Sequence, residues 1–355
     1  VRSRGLGDVY KRQVPDWDAV FSLGFPGLRD RARGFRAERE KNGTLDDSAR
    51  AYFDGLDITI CAVLECIGRF IDYARQKHPG DPRIEAETEC LEQLRTGTPR
   101  NTYEALQIIY LHFMFCEHID RMQVRSLGNL DRMLYPYYER DLRDGRYTEA
   151  QIREFFACFL MQWASINNYW GHPFYLGGTE ADGTSGINEL SFLILDVFDR
   201  LSIPTPKIQI KTARNTPTAF LNKALDMIRR GNNSLVFVSE DSIRRAMMGL
   251  GYTEETARTC DIRGCYEFVP RACGNTTGPG YINMLKPVEL VFNNGIDPAT
   301  GTRFECGAEP LENIRTFDDF YTAYLKYLND IIETIVLCAD DFEQYLHLIN
   351  PAQLY

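Results

Sequence analysis

The chain has 355 residues, 44% of them hydrophobic and 25% charged, with a formal net charge of -10. That composition is globular and long enough to bury a sizeable core. The acidic balance and the lack of a long basic run argue against nucleic acid as a partner. No window approaches the ~18 consecutive apolar residues of a membrane-spanning helix.

Residues 1–13 are basic, show no clean period and read as a non-native leader. Asp16 caps a first helix through Val20, Phe21 and Leu23. From Asp46 to Lys77, Tyr52, Leu56, Ile60, Val63, Leu64, Ile67 and Ile71 fall on one helical face, and Pro79-Gly80-Asp81-Pro82 ends it. Helices are expected at Arg83–Leu94, Thr102–Phe115 and from Thr148 to Ala164. Asn167 to Gly178 mixes aromatic, polar and glycine residues; a ligand-lining segment and a plain surface loop both fit. A helix at Asn188–Leu201 follows. Lys207–Lys211 alternates apolar and polar like a strand. Thr218–Arg230 is helical, Leu235–Val238 a short apolar strand, and Glu240–Leu250 and Thr253–Thr259 helices. Ile282–Phe292 and a long closing segment, Phe317 to Leu346, are also expected to be helical. From Lys207 on, strands alternate with helices, which predicts an α/β layout with parallel strands. The expected division is a mainly helical part, 14–165, and a strand-bearing part, 166–355.

The ten cysteines form no C-x-x-C pair, so a zinc ribbon or thioredoxin-type site is not supported. Free thiols in a chain of this size fit a reducing cytoplasm. The five histidines, at 78, 112, 118, 172 and 347, make no H-x-x-x-H pair, and no metal site is expected. One cysteine stands out. In Arg263-Gly264-Cys265-Tyr266-Glu267-Phe268 a thiol and a carboxylate sit two residues apart, a spacing that shares one side of a strand but not of a helix. Gly264 permits a backbone that other residues resist. The pair suits a thiol that attacks a substrate while a carboxylate handles its proton. Taken alone, a buried structural cysteine beside a solvated glutamate explains the run as well.

Gly264-Cys265-Tyr266-Glu267 resembles the Gly-Cys-x-Glu thiyl-radical loop of glycyl radical enzymes, the pyruvate formate-lyase superfamily. Further blocks agree in order. Ser126-Leu127-Gly128-Asn129-Leu130-Asp131 is similar to Ser-x-Gly-Arg-x-Asp, with Asn129 in place of Arg. Pro136-Tyr137-Tyr138 with Asp141-Leu142 and Gly145 continues it. Leu176-Gly177-Gly178 with Asp182-Gly183 and Asn188-Glu189-Leu190-Ser191 matches the next block. Pro206 to Lys211 resembles a Pro-x-x-x-x-Arg strand, with Lys211 for Arg. Asn283-Met284-Leu285-Lys286 through Asn294-Gly295 and Gly301 resembles the segment after the cysteine.

The resemblance implies a ten-stranded α/β barrel, two antiparallel halves of five parallel strands, with a helical N-terminal region and the cysteine on a loop at the barrel centre. It implies a C-terminal glycyl radical installed by a radical-SAM activating enzyme, no bound cofactor, and a homodimer acting on a small molecule in the cytoplasm. Cys265 would become a thiyl radical and take hydrogen from a substrate carbon. Glu267 would deprotonate the adjoining hydroxyl, and the resulting ketyl would expel a neighbouring group. The expected activity is therefore a dehydratase or related eliminating lyase. Arylacetate decarboxylation, C–N or C–S lysis and a formate acetyltransferase-like reaction are the alternatives, the last disfavoured because Tyr266, not a second cysteine, follows Cys265. Glu267 is followed by Phe268 where the dehydratase and C–N lyase loops have proline, so the substrate stays open. No Arg-Val-x-Gly-Tyr loop occurs, and the chain reads as an internal fragment, inactive by itself. By block position, His118, Trp170, His172, Phe174 and Tyr281 are candidate substrate contacts, and His172 fits equally a histidine that fixes its own loop. A degenerate non-enzymatic homologue and a conventional cysteine nucleophile paired with His118 or His172 are the readings outside this chemistry.

Overall fold

The computed structural model describes residues 14–117, 126–166, 172–264, 267–271 and 282–349. It divides into two compact units, 1–275 and 276–355.

Among the described residues the first unit opens with six α-helices: α1 (Trp17–Lys41), α2 (Asp47–Lys77), α3 (Pro82–Thr96), α4 (Thr102–Phe115), α5 (Leu130–Arg143) and α6 (Glu149–Ser165). Most begin on a side chain that occupies an orphan backbone N–H. Asp46, Asp81, Asn101 and Thr148 do so for α2, α3, α4 and α6, the last as a full capping box. Then come β1 (Phe174–Gly177), α7 (Glu189–Leu201), β2 (Ile208–Thr212), α8 (Thr218–Arg229), β3 (Leu235–Ser239), α9 (Glu240–Gly249), α10 (Glu254–Arg258), β4 (Asp261–Arg263) and β5 (Glu267–Val269).

Strands β1, β2 and β3 pair in that order, all parallel, with Tyr175 opposite Gln209 and Gly177 opposite Lys211. Asn129 adds a parallel bridge to Tyr175 on the other side of β1. The expected parallel α/β layout is thus present. Strands β4 and β5 depart from it as an antiparallel hairpin in which Asp261 faces Val269, Ile262 faces Phe268 and Arg263 faces Glu267. The segment expected as a loop from Asn167 to Gly178 contains strand β1 from Phe174 on; residues 167–171 of it lie outside the described residues.

The two faces of the parallel sheet differ. Phe174, Leu176, Ile208 and Ile210 enter the large core formed with the helices. Tyr175, on the opposite face, joins a separate cluster with Ile243, Met247, Ala257, Cys260 and the hairpin's Ile262, against which Phe268 packs. The sheet is therefore covered by helices on one side and carries the hairpin on the other.

In the second unit, α11 (Lys286–Phe292) and α12 (Phe317–Ile349) pack through Leu290, Val291, Ala323 and Tyr327. Lys286 is paired with Glu289 and, at 3.1 Å, with Asp297.

Candidate active site

The Gly-Cys-x-Glu run lies where β4 turns into β5. Because Arg263 pairs with Glu267, only residues 264–266 connect the strands. Cys265 and Tyr266 lie outside the described residues, as do His118, Trp170, Tyr281 and Cys273. What frames Cys265 is described on both sides. Gly264 has φ +57°, the left-handed region that side chains resist. A Cβ there would overlap the Glu267 carboxylate, which lies back over the glycine. The conformational freedom expected of Gly264 is used, and the same residue leaves room for the carboxylate. Cys265 is thus bonded directly to the residue on which that carboxylate rests. Arg263 stands across the ladder from Glu267.

The parallel sheet grips this hairpin by side chains from its inward face. Ser126 Oγ donates to the carbonyl of Ile262 at 2.8 Å. Gln209 Nε2 donates to the carbonyl of Gly264 at 2.9 Å. Lys211 Nζ donates to the carbonyls of Arg258 and Cys260, each at 3.0 Å, and lies 3.4 Å from Glu240 Oε1. The buried Tyr175 hydroxyl donates to Asp261, which Arg271 approaches at 3.6 Å. Burial, and then the Asp261 charge, hold the Tyr175 phenol well above its ordinary range, so it stays a neutral donor. Burial lowers the Lys211 ammonium, and Glu240 opposes that shift.

The Ser126 block does similar work on the fold. Gly128 has φ +82°, and a Cβ there would strike the Trp17 ring. Asn129 Nδ2 donates to the carbonyl of Gly177 at 3.1 Å. Asp131 accepts from Gly177 N–H at 2.9 Å, Ser191 Oγ–H at 2.7 Å and Arg132 N–H at 2.9 Å. Burial nevertheless pushes its carboxyl up to about 7. Sequence reasoning used these residues as markers of resemblance; their contacts make them supports for the hairpin and the end of β1. Alternation of polar with apolar residues in β2 was the one signal that could have located Gln209 and Lys211 as supports.

Two expected substrate contacts sit elsewhere. Phe174 is fully buried among the helices, on the face of β1 away from the hairpin, which makes it a core residue and not a pocket wall. His172 is also fully buried. Its ring lies 4.6 Å from that of Trp163 and 5.7 Å, edge-on, from that of Phe113, and Nε2 is 2.5 Å from Glu117 Oε1. These contacts hold the residue just before β1 against α4 and α6. Cys260 is buried, with its Sγ–H directed at the carbonyl of Thr256 at 3.5 Å, as a structural thiol would be. Among the described residues no cluster of three or more His, Cys, Asp or Glu could hold a metal, and no helix is long and apolar enough to cross a membrane.

Comparison with known proteins agrees with this arrangement. The family model of pyruvate formate lyase-like proteins matches residues 6–354. The chain is 25% identical to trans-4-hydroxy-L-proline dehydratase of Clostridioides difficile over 89% of its own length and 43% of that protein. It is 26% identical to the glycyl radical subunit of 4-hydroxyphenylacetate decarboxylase from Clostridioides difficile (strain CD196), over 91% of the chain and 41% of the subunit. Its fold superposes on a glycyl radical enzyme from Archaeoglobus fulgidus with a TM-score of 0.80 at 20% identity, covering 91% of this chain and 44% of that one. The chain thus spans less than half the length of the curated relatives it matches. With the family model matching nearly every residue, the chain belongs to the pyruvate formate lyase-like family.

Proposed function

We propose that the protein is a glycyl radical lyase that removes a leaving group from a small hydroxylated molecule, with Cys265 as the hydrogen-abstracting thiol and Glu267 as the general base. The observation that carries this reading is the Glu267 carboxylate lying back over Gly264, the residue bonded to Cys265. A glycyl radical, installed by a radical-SAM activating enzyme, supplies the hydrogen abstraction that converts Cys265 to a thiyl. The chain's own residues do the rest. Cys265 takes hydrogen from a carbon bearing a hydroxyl. The radical makes that hydroxyl far more acidic, so Glu267 can accept its proton. The ketyl then expels the group on the neighbouring carbon, and Cys265 returns its hydrogen to the product.

The β1–β2–β3 sheet is read as part of a ten-stranded barrel, and the enzyme as a cytoplasmic homodimer. His118, Trp170 and Tyr281 are proposed substrate contacts, with His172 acting through the segment that leads into β1. The dehydratase among the relatives supports elimination. A second reading, decarboxylation of an arylacetate, draws on the decarboxylase relative and on the aromatic residues around 169–174.

The test is anaerobic activation of the full-length gene product with a radical-SAM activating enzyme, followed by a panel of diols, hydroxyprolines, choline-like compounds and arylacetates. Elimination product without carbon dioxide is expected. Carbon dioxide from an arylacetate selects the second reading. No glycyl signal in electron paramagnetic resonance after activation contradicts both.

A further inference from the structure

We propose that Lys211, held by Glu240, is a positioning residue that sets the root of the Cys265 hairpin against the parallel sheet. An ammonium has three N–H donors and no acceptor. Lys211 has three acceptors around it: the carbonyls of Arg258 and Cys260 at 3.0 Å and Glu240 Oε1 at 3.4 Å. Both side chains of the pair are buried, with 4% and 7% exposure. A buried ion pair is seldom the cheapest way to fill such a space, because apolar residues of similar volume avoid the desolvation of two charges. Its use here is geometric. The two carbonyls belong to the segment that leads into β4, three and one residues before Asp261.

Glu240 extends the connection. Its Oε1 accepts from Thr179 N–H at 3.1 Å and its Oε2 from Thr179 Oγ–H at 2.5 Å, so the carboxylate is fixed by the segment after β1. It also opens α9, where the helix dipole favours an anion. Gly178, at φ +95°, lets the Lys211 stem pass; a Cβ there would lie 3.0 Å from Lys211 Cδ. One pleat earlier on β2, Gln209 donates to the carbonyl of Gly264 beside Cys265. Strand β2 therefore holds the hairpin at both root and tip. A lysine here offers a compact charge whose three donors rotate to meet the three acceptors.

This inference rests on the reading of Cys265 as the reactive thiol, and the test separates the two. Hydrogen exchange is followed by peptide in the full-length protein, wild type against Lys211→Met/Glu240→Gln. The double substitution leaves no unpaired buried charge, so the fold is kept, yet the two carbonyls lose their donor. Amides of 261–269 should exchange at least about tenfold faster while those of α4 and α7 stay within about twofold of wild type. In the activated enzyme kcat should fall by about tenfold or more with KM within about twofold, because the thiol and not the pocket has moved. Unchanged exchange in 261–269 overturns the proposal, and so does an even rise across 126–264, which would make the pair a general stabiliser. Should the double variant unfold, Gln209→Leu, which removes only a neutral donor, must raise exchange at 264–269 or the grip of β2 on the hairpin is refuted. Failure of the catalytic reading shows instead as turnover that survives loss of Cys265, with hairpin exchange unaffected.

Discussion

Gly264 shows how one residue answers two demands. Its φ of +57° costs an L-residue about 1 kcal/mol, and a methyl group would displace the Glu267 carboxylate. The displaced group is the end of a flexible side chain, so Gly264→Ala should fold, with unfolding lowered by about 1–2 kcal/mol in denaturant titration. Its larger effect should be on turnover, because the proposed base has left its place over Gly264. Glu267→Gln keeps the shape and removes the base. It should lower kcat by about 10²–10⁴ while the glycyl signal forms normally in electron paramagnetic resonance. The left-handed turn at Gly264 was legible because a glycine is a local feature. The burial of Phe174 was not: its aromatic neighbours suggested a pocket, but the side of a strand that meets the helices depends on pairing with β2, where Phe174 lies opposite Ile208, far away in the chain.

At the scale of elements, helices announced themselves wherever a cap was present. Those opened by Asp46, Asn101, Thr148 and Asn188 begin within a residue of their expected starts. The misses have physical causes. Helix α1 continues through a kink at Gly24, φ +63°, with Pro26 just beyond, a pair that reads as a break in sequence. Helix α5 carries Pro136 in its interior, and the block around it gave no helical signal. Helix α11 starts at Lys286 and not at Ile282 because Pro287 belongs in the first turn. In β2 the alternation was read as a strand, and rightly. Its polar side nevertheless faces the hairpin and not water: Gln209 and Lys211 are 1% and 3% exposed.

Asp131 ties the start of α5 to β1 and α7, and it makes a pH prediction. Its folded carboxyl sits at about 7, against about 4 in an unfolded chain. The folded state therefore keeps a proton that the unfolded state releases. The stability this group contributes is full below about pH 4 and is lost as pH rises to about 7. Between pH 5 and pH 8 the loss should be on the order of 2 kcal/mol. Asp131→Asn should start lower, since its amide oxygen can accept from Gly177 N–H and Ser191 Oγ–H but its NH2, in place of the other carboxylate oxygen, cannot accept from Arg132 N–H, and its thermal unfolding should be flatter across that range. An equal slope in the variant would place the titration elsewhere.

For the molecule as a whole, family membership is carried by ordered blocks spread over nearly the full chain, and the structure gives many of those blocks a physical task. Ser126, Tyr175 and the pair Gln209 and Lys211 come from three separate stretches of the chain and converge on one hairpin and the segment leading into it. That convergence was hidden in sequence because each contact joins residues far apart, Ser126 and Ile262 for example. The blocks were readable as a pattern; their purpose became readable only in three dimensions. The substrate is a different matter, since relatives at about the same identity include a dehydratase and a decarboxylase.

The central claim is that Cys265 passes the radical to the substrate. The most direct measurement compares wild type and Cys265→Ala, both full length, both activated anaerobically, with glycyl radical content and product formation followed in the same samples. The account predicts equal radical signals and no product from the variant. Product from Cys265→Ala at a rate near wild type would contradict it.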